Sequence, residues 1–135
     1  MTAGDWWRLP ATGGGTAWPG LLYRAGSLAG MEDVFEWAHV QAAPVKELFP
    51  GIRLRPLWAV QGGASAQVLE MDADTSWEGL DVHQPGPEEV FVVSGTFNDG
   101  IRDYPAGSFI HCPAGSSHVP QTKTGCTLFV FYPEG

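Results

Sequence analysis

The apolar residues of this sequence fall into short runs that glycine and proline separate. The chain has 18 glycines and 11 prolines, while charged residues make up only 16%. Runs such as 90–93 and 127–132 are far shorter than the roughly 20 apolar residues that a membrane-spanning helix needs. Many short strands joined by tight turns suit this composition better than helices do. We therefore predict a soluble, all-β fold, either a sandwich or a closed barrel.

The strands themselves are predicted from the alternation of apolar residues between turn signals. Residues 52–60 alternate, and Pro56 within them indicates an edge strand or a bulge. Arg53 and Arg55 occupy the intervening positions, and we expect both to point to solvent. Further strands are predicted at residues 64–71, 89–93, 96–99, 107–112 and 127–132.

Two turns are indicated within the second half of the chain. The Asn-Asp-Gly sequence at 98–100 predicts a hairpin between residues 96–97 and 101–102, and residues 105–107 predict the next turn. The stretch 31–48 fits neither the helical nor the strand period, so it stays open as a short helix or a strand.

Residues 1–30 are rich in glycine, proline and alanine and show no sustained period, which predicts an irregular arm. Its tryptophans would be costly to leave in water; they are Trp6, Trp7 and Trp18. The arm therefore either packs on the barrel or on a second subunit, or is a partly disordered tail. Residues 31–135 are predicted to form one folded domain.

Charge and cysteine usage limit the partners and the compartment. A net charge of −8 with only seven lysines and arginines would repel a phosphate backbone, so nucleic-acid binding is not expected. The chain does not open with a positively charged segment followed by an apolar one, so we expect a cytoplasmic protein. Cys112 and Cys126 each lie in a predicted strand and are expected to be buried thiols rather than a disulfide.

The residues that carry chemistry are concentrated in the second half of the chain. His83 is followed by a Gln-Pro-Gly-Pro turn and then by Glu88, so an imidazole and a carboxylate can converge from adjacent strands. His118 follows a second tight turn. Two imidazoles and one carboxylate form a ligand set for Zn, Fe, Mn or Ni and leave coordination positions open.

The stretch 79–95 resembles the first cupin motif, in which His-x-His is followed by Glu and then by Gly. His83, Glu88 and Gly95 match the second His, the Glu and the Gly of that pattern. The position of the first His is occupied by Asp81.

The stretch 107–118 resembles the second cupin motif, with matches at Gly107, Pro113, Gly115 and His118. The terminal Asn of that motif is replaced by Thr122. The flanking sequence is similar to the zinc-binding cupin domains of ChrR anti-sigma factors. The resemblance implies a cupin double-stranded β-helix, a jelly-roll barrel that holds one divalent metal ion in its mouth, with Zn first and Fe(II), Mn or Ni as alternatives. It also implies a homodimer.

Other polar residues near the motifs are assigned by chemistry and alternation. Asp81 is either a further metal ligand or a catalytic base, or it marks a site that binds nothing. Glu89 is the second candidate for proton transfer, although alternation with Glu88 predicts that it is a surface carboxylate. His111 is either a substrate contact, an extra metal ligand or a polar residue of the barrel wall whose hydrogen bonds are satisfied. His39 is expected to have a structural role.

The predicted function is a metal-dependent enzyme that acts on a small polar molecule. The reaction is left open between a zinc-dependent lyase, isomerase or bond-forming role in natural-product biosynthesis, including nitrogen–nitrogen bond formation, and an iron dioxygenase. The alternative is a non-catalytic zinc-binding or ligand-sensing module, because a fold does not determine a function.

Overall fold

A computed structural model describes residues 34–135 of the chain, and the predicted arm at 1–30 lies outside these residues. A 3-10 turn, Val40–Ala42, precedes eleven strands in this part of the chain. The strands are β1 (Lys46–Phe49), β2 (Ile52–Ala59), β3 (Ser65–Met71), β4 (Thr75–Ser76), β5 (Asp81–Val82), β6 (Glu88–Asn98), β7 (Asp103–Pro105), β8 (Phe109–Cys112), β9 (Ser117–His118), β10 (Gln121–Thr122) and β11 (Cys126–Tyr132). The all-β prediction is confirmed.

Nine strands form one sheet with β6 at its centre. The order is β1-β2-β3-β11-β6-β10-β4, and β7 and β8 also pair with β6; β5 and β9 form a separate two-stranded sheet. Alternate residues of β2, β3, β6 and β11 point inward and build the core; among them are Ile52, Leu54, Leu69, Met71, Val90, Val92, Leu128 and Val130. Full burial of each such side chain stabilises the fold by about 1.5–3 kcal/mol.

The predicted irregularity at Pro56 is a bulge. The register between β2 and β3 shifts between Pro56 and Trp58. Arg53 and Arg55 alternate away from the core as expected, but both are paired: Arg53 donates to Asp72, and Arg55 donates to Glu70 at 2.6 Å.

The described part of residues 31–48, for which the sequence favoured neither a helix nor a strand, contains little regular structure before β1. Residues 34–39 form no helix or strand. His39 Nδ1 accepts a hydrogen bond from the backbone N–H of Gln41 and so caps the 3-10 turn. The structural role predicted for His39 is consistent with this contact.

The strands predicted separately at 89–93 and 96–99 are one strand, which corrects the sequence-based boundary. Gly95 lies within β6 at φ +73°, and the register with β11 shifts between Thr127 and Leu128. A β-bulge of this kind bends a strand without ending it. It allows β6 to pair with β11 and β8 before the bend and with β7 and β10 after it.

The predicted hairpin after β6 is present, but its second strand starts later than predicted. Asn98 pairs with Asp103, so residues 99–102 form the loop. Asp99 Oδ1 accepts hydrogen bonds from the backbone N–H groups of Ile101 and Arg102 at 2.8 and 2.9 Å. These amides bind the aspartate and are not available to a strand, which is why 101–102 is a turn.

No helix in the described residues has the length and apolarity that a membrane span requires. Cys112 and Cys126 are buried and unpaired, as expected.

The close approach of backbone at Gly95 should be intolerant of any side chain. A Cβ at Gly95 would lie 2.0 Å from the carbonyl oxygen of Gly125, and the backbone is left-handed there. Gly107 has a similar φ of +92° but open space around it, which makes Gly107→Ala the matched control. We expect Gly107→Ala to lower the free energy of unfolding by about 1–2 kcal/mol and Gly95→Ala by at least about 2 kcal/mol more. Urea unfolding measures the free energy of unfolding of both variants. Equal losses would contradict a steric clash between a Cβ at Gly95 and the carbonyl oxygen of Gly125.

Candidate metal centre

Two short elements bring distant parts of the sequence together at one end of the barrel. Asp81 in β5 and His118 in β9 are direct partners in the two-stranded sheet. His83 follows β5 immediately, and its backbone N–H and C=O bond to the turn before β9. Glu88 opens β6. We call these residues the four-residue cluster: Asp81, His83, Glu88 and His118.

The four side chains converge on one small volume. One donor atom from each lies within 4.8 Å of the others. His118 Nε2 is 3.2 Å from an Asp81 carboxylate oxygen, and His83 Nδ1 is 3.4 Å from a Glu88 oxygen. Three of the residues are buried, and the side chain of His118 is only 10% exposed. Such groups are normally buried only when they are paired or bind a cation.

Aromatic residues hold the cluster in place. The Tyr132 hydroxyl donates a hydrogen bond of 2.6 Å to Glu88 Oε2. Burial, and then the nearby negative charge, raises the pKa of Tyr132 well above its ordinary value, so it remains a donor. Phe97 packs edge-on to the His118 ring, with centroids 5.9 Å apart.

The electrostatics of the cluster favour a positive charge. Burial alone would lower the pKa of His83, but its contacts with the Cys112 thiol and Glu88 and the charges of Glu88 and Asp81 raise it from 6.5 to about 10. The surroundings therefore attract a proton to the imidazole. A metal ion would compete with that proton for the same negative environment.

The residues present fit a divalent ion. His83 Nε2 is buried and has no hydrogen-bond partner, although buried polar atoms are nearly always satisfied. Two imidazoles and two carboxylates are donors that Zn²⁺, Fe²⁺, Mn²⁺ and Ni²⁺ all accept.

A small apolar cavity adjoins the cluster. Its volume is about 20 Å³, which is room for about one water molecule. Asp81, Glu88 and His118 form its polar wall, and the remaining lining is mostly aliphatic and aromatic: Leu48, Leu54, Leu69, Trp77, Phe97, Pro120, Leu128, Val130 and Tyr132.

The structure does not bring two of the predicted residues to the site. Glu89 and His111 are partners across β6 and β8, on the face opposite Glu88. Their side chains contact each other, with His111 Nδ1 3.0 Å from the Glu89 carboxylate. Because neighbouring residues of a strand point to opposite faces, Glu89 is directed away from the cluster. The surface position predicted for Glu89 agrees with the structure, whereas the catalytic position does not.

The sequence analysis did not identify two residues that lie at the site. Cys112 lies across from Glu88 in the β6–β8 ladder, and Tyr132 reaches Glu88 from the last strand. Alternation could have placed Cys112 on the inner face, because His111 precedes it and faces outward. No local signal links Tyr132 to a carboxylate 44 residues away.

Comparison with known proteins identifies the fold. A family model described as the ChrR cupin-like domain matches residues 34–134. An RmlC-like cupin from Shewanella frigidimarina is 16% identical with a TM-score of 0.62, and the match covers 85% of this chain and 95% of that chain. Comparison with curated proteins gives no match.

Two further structures are similar. In the complex of Rhodobacter sphaeroides SigE with the anti-sigma ChrR, the match is 21% identical with a TM-score of 0.59 and covers 70% of this chain but only 51% of that chain. The polyketide cyclase RemF from Streptomyces resistomycificus is 18% identical with a TM-score of 0.61, and the match covers 73% of this chain and 78% of that chain. The predicted jelly roll and the resemblance to ChrR-type cupins are confirmed.

The hydrogen bond from Tyr132 to Glu88 should contribute measurably to stability. Tyr132→Phe keeps the ring but leaves a buried carboxylate oxygen without this donor, so we expect a loss of about 2 kcal/mol in the free energy of unfolding. The control is Tyr104→Phe, which removes a bond to Asp99 in a partly exposed setting and should cost less than about 1 kcal/mol. Urea unfolding in the presence of a chelator compares the two. An equal cost would show that burial of Glu88 does not depend on Tyr132.

Proposed function

The chain belongs to the family of ChrR cupin-like domains, and we propose that its four-residue cluster holds one divalent metal ion. The observation that carries this proposal is the convergence of four donor atoms within 4.8 Å of one another. The unpartnered, buried Nε2 of His83 supports it.

Zn²⁺ is the first candidate, with Fe²⁺, Mn²⁺ and Ni²⁺ as alternatives. Imidazole suits zinc and iron, and carboxylate suits the harder ions, so the donor set alone accepts all of them. A bound ion of this class supplies Lewis acidity. The protein contributes a buried setting in which Tyr132 and Phe97 fix Glu88 and His118.

We propose that the site serves an enzyme acting on a small polar molecule. Catalytic metal sites keep a coordination position open for water or substrate, and the cavity that three cluster residues line has room for about one water molecule beside the proposed ion. Asp81 combines exposure to the cavity with a 3.2 Å contact to His118 Nε2. We infer that Asp81 either binds the ion or moves a proton between His118 and a bound molecule.

The second candidate is a non-catalytic zinc-binding or ligand-sensing module. Four protein donors equal the number found in closed structural zinc sites, and the adjoining cavity of about 20 Å³ has room for about one water. The compared ChrR is an anti-sigma protein that binds SigE. A sensing module of that kind would bind metal without turnover.

Metal content tests the site itself. Elemental analysis of the full chain, purified without added metal, should give about one ion per chain, and His118→Ala should reduce this to less than about a tenth, because an imidazole donor is lost. His111→Ala is the matched control, since it removes an exposed imidazole that contacts Glu89. Full metal content in His118→Ala would refute the proposed site. Zinc in the wild-type chain would favour bond-forming or sensing roles, and iron would favour oxygen chemistry.

The role of Asp81 is tested separately by Asp81→Asn. If Asp81 is a ligand, loss of its charge should weaken zinc affinity about tenfold or more in a chelator competition. Asp103→Asn is the matched control, because it removes an exposed carboxylate that accepts a hydrogen bond from Asn98, and it should leave zinc affinity unchanged. Unchanged affinity in Asp81→Asn would exclude a ligand role and leave proton transfer.

A further inference from the structure

Cys112 occupies the inner face of the barrel next to the proposed metal site. It ends β8 and is the direct partner of Glu88 in the ladder between β6 and β8. Side chains at paired positions on one face have Cβ atoms about 4.5–5.5 Å apart. Cys112 is 7% exposed, so its thiol is directed to the same interior as the Glu88 carboxylate.

The thiol belongs to a second group of donors that overlaps the first. The donor atoms of His83, Cys112 and His118 also lie within 4.8 Å of one another. Both groups share the two imidazoles, whose ring centroids are 4.6 Å apart. An ion held by both imidazoles would therefore be within reach of the carboxylates of the first group and of the thiol of the second.

A separate observation concerns His83, which has one ring nitrogen near Glu88 and the other without a partner. His83 Nδ1 is 3.4 Å from Glu88, whereas Nε2 is buried and unsatisfied. His83 itself is 3% exposed. Buried polar atoms are nearly always satisfied in folded proteins, so His83 keeps one ring nitrogen that a bound ion could use.

We propose that Cys112 is a metal ligand that binds thiophilic divalent ions together with His83 and His118. The inference rests on the proposed metal site and adds a donor that selects among ions. Sulfur favours Zn²⁺, Co²⁺ and Cd²⁺, whereas Mn²⁺ favours the carboxylates of Asp81 and Glu88. On binding, the S–H bond of Cys112 breaks, its proton passes to solvent, and the sulfur electron pair forms the bond to the ion.

Cobalt substitution of the full chain detects the metal–sulfur bond directly. The Co²⁺-loaded wild-type protein should show a sulfur-to-cobalt charge-transfer band in the near ultraviolet. Cys112→Ser should abolish the band, and Cys126→Ser should retain it. Cys126 is a suitable control because it is the other buried thiol and lies at the far end of β11, six residues from Tyr132, or about 20 Å along the strand. Burial raises the pKa of Cys126 to about 11.

Metal selectivity provides a second readout. Cys112→Ser should weaken Cd²⁺ binding at least about tenfold and Mn²⁺ binding less than about threefold, because only the soft ion uses sulfur. Bound Co²⁺ without the band in the wild-type chain would overturn the proposal and leave the four-residue cluster intact as the site. A band that survives Cys112→Ser would also overturn it. Failure of the wild-type chain to bind Co²⁺, Zn²⁺ or Mn²⁺ would refute the metal site and the proposal together.

Discussion

The burial of the Glu88 carboxylate is the constraint on which the barrel end and its site both depend. Glu88 is 4% exposed at the first position of β6, the strand that pairs with β11, β8, β7 and β10. A buried carboxylate costs several kcal/mol unless hydrogen bonds and opposite charge compensate for it. Tyr132 from the last strand and His83 from the preceding turn provide that compensation. The contacts that join these strands at the barrel end are therefore also contacts that position the cluster.

The charges of the cluster explain why a cation belongs there. Asp81 and Glu88 bring two carboxylates into a buried volume, and the raised pKa of His83 shows that the surroundings favour a positive charge. A single proton on His83 leaves that balance incomplete, while a divalent ion offsets both carboxylates. Binding of the proposed ion would thus relieve the repulsion between the two buried carboxylates.

The sequence predicted the fold class and the four members of the cluster because their signals are local. The glycine and proline turns define the strand ends, and alternation separates Glu88 from Glu89 correctly. The continuity of β6 was not predictable, because a glycine inside a strand, as at Gly95, has the same sequence signature as a glycine in a turn between strands. Alternation could indicate that Cys112 faces inward, but its position opposite Glu88 and the contact of Tyr132 with Glu88 depend on long-range strand pairing, which composition and spacing do not encode. The homodimer, the cytoplasmic location and the arm at 1–30 stay predictions.

The number of anionic donors limits how they can act together. Two carboxylates and one thiolate around a divalent ion would leave one net negative charge in a buried site, which is costly where the dielectric is low. Coordination by Cys112 would therefore be favoured when one carboxylate moves out of reach of the ion. Tyr132 holds Glu88 in place, whereas Asp81 contacts His118, which remains a ligand in both donor groups. In the proposed site, Asp81 and Cys112 would thus be the alternative hard and soft donors, while the two imidazoles would hold the ion in either case.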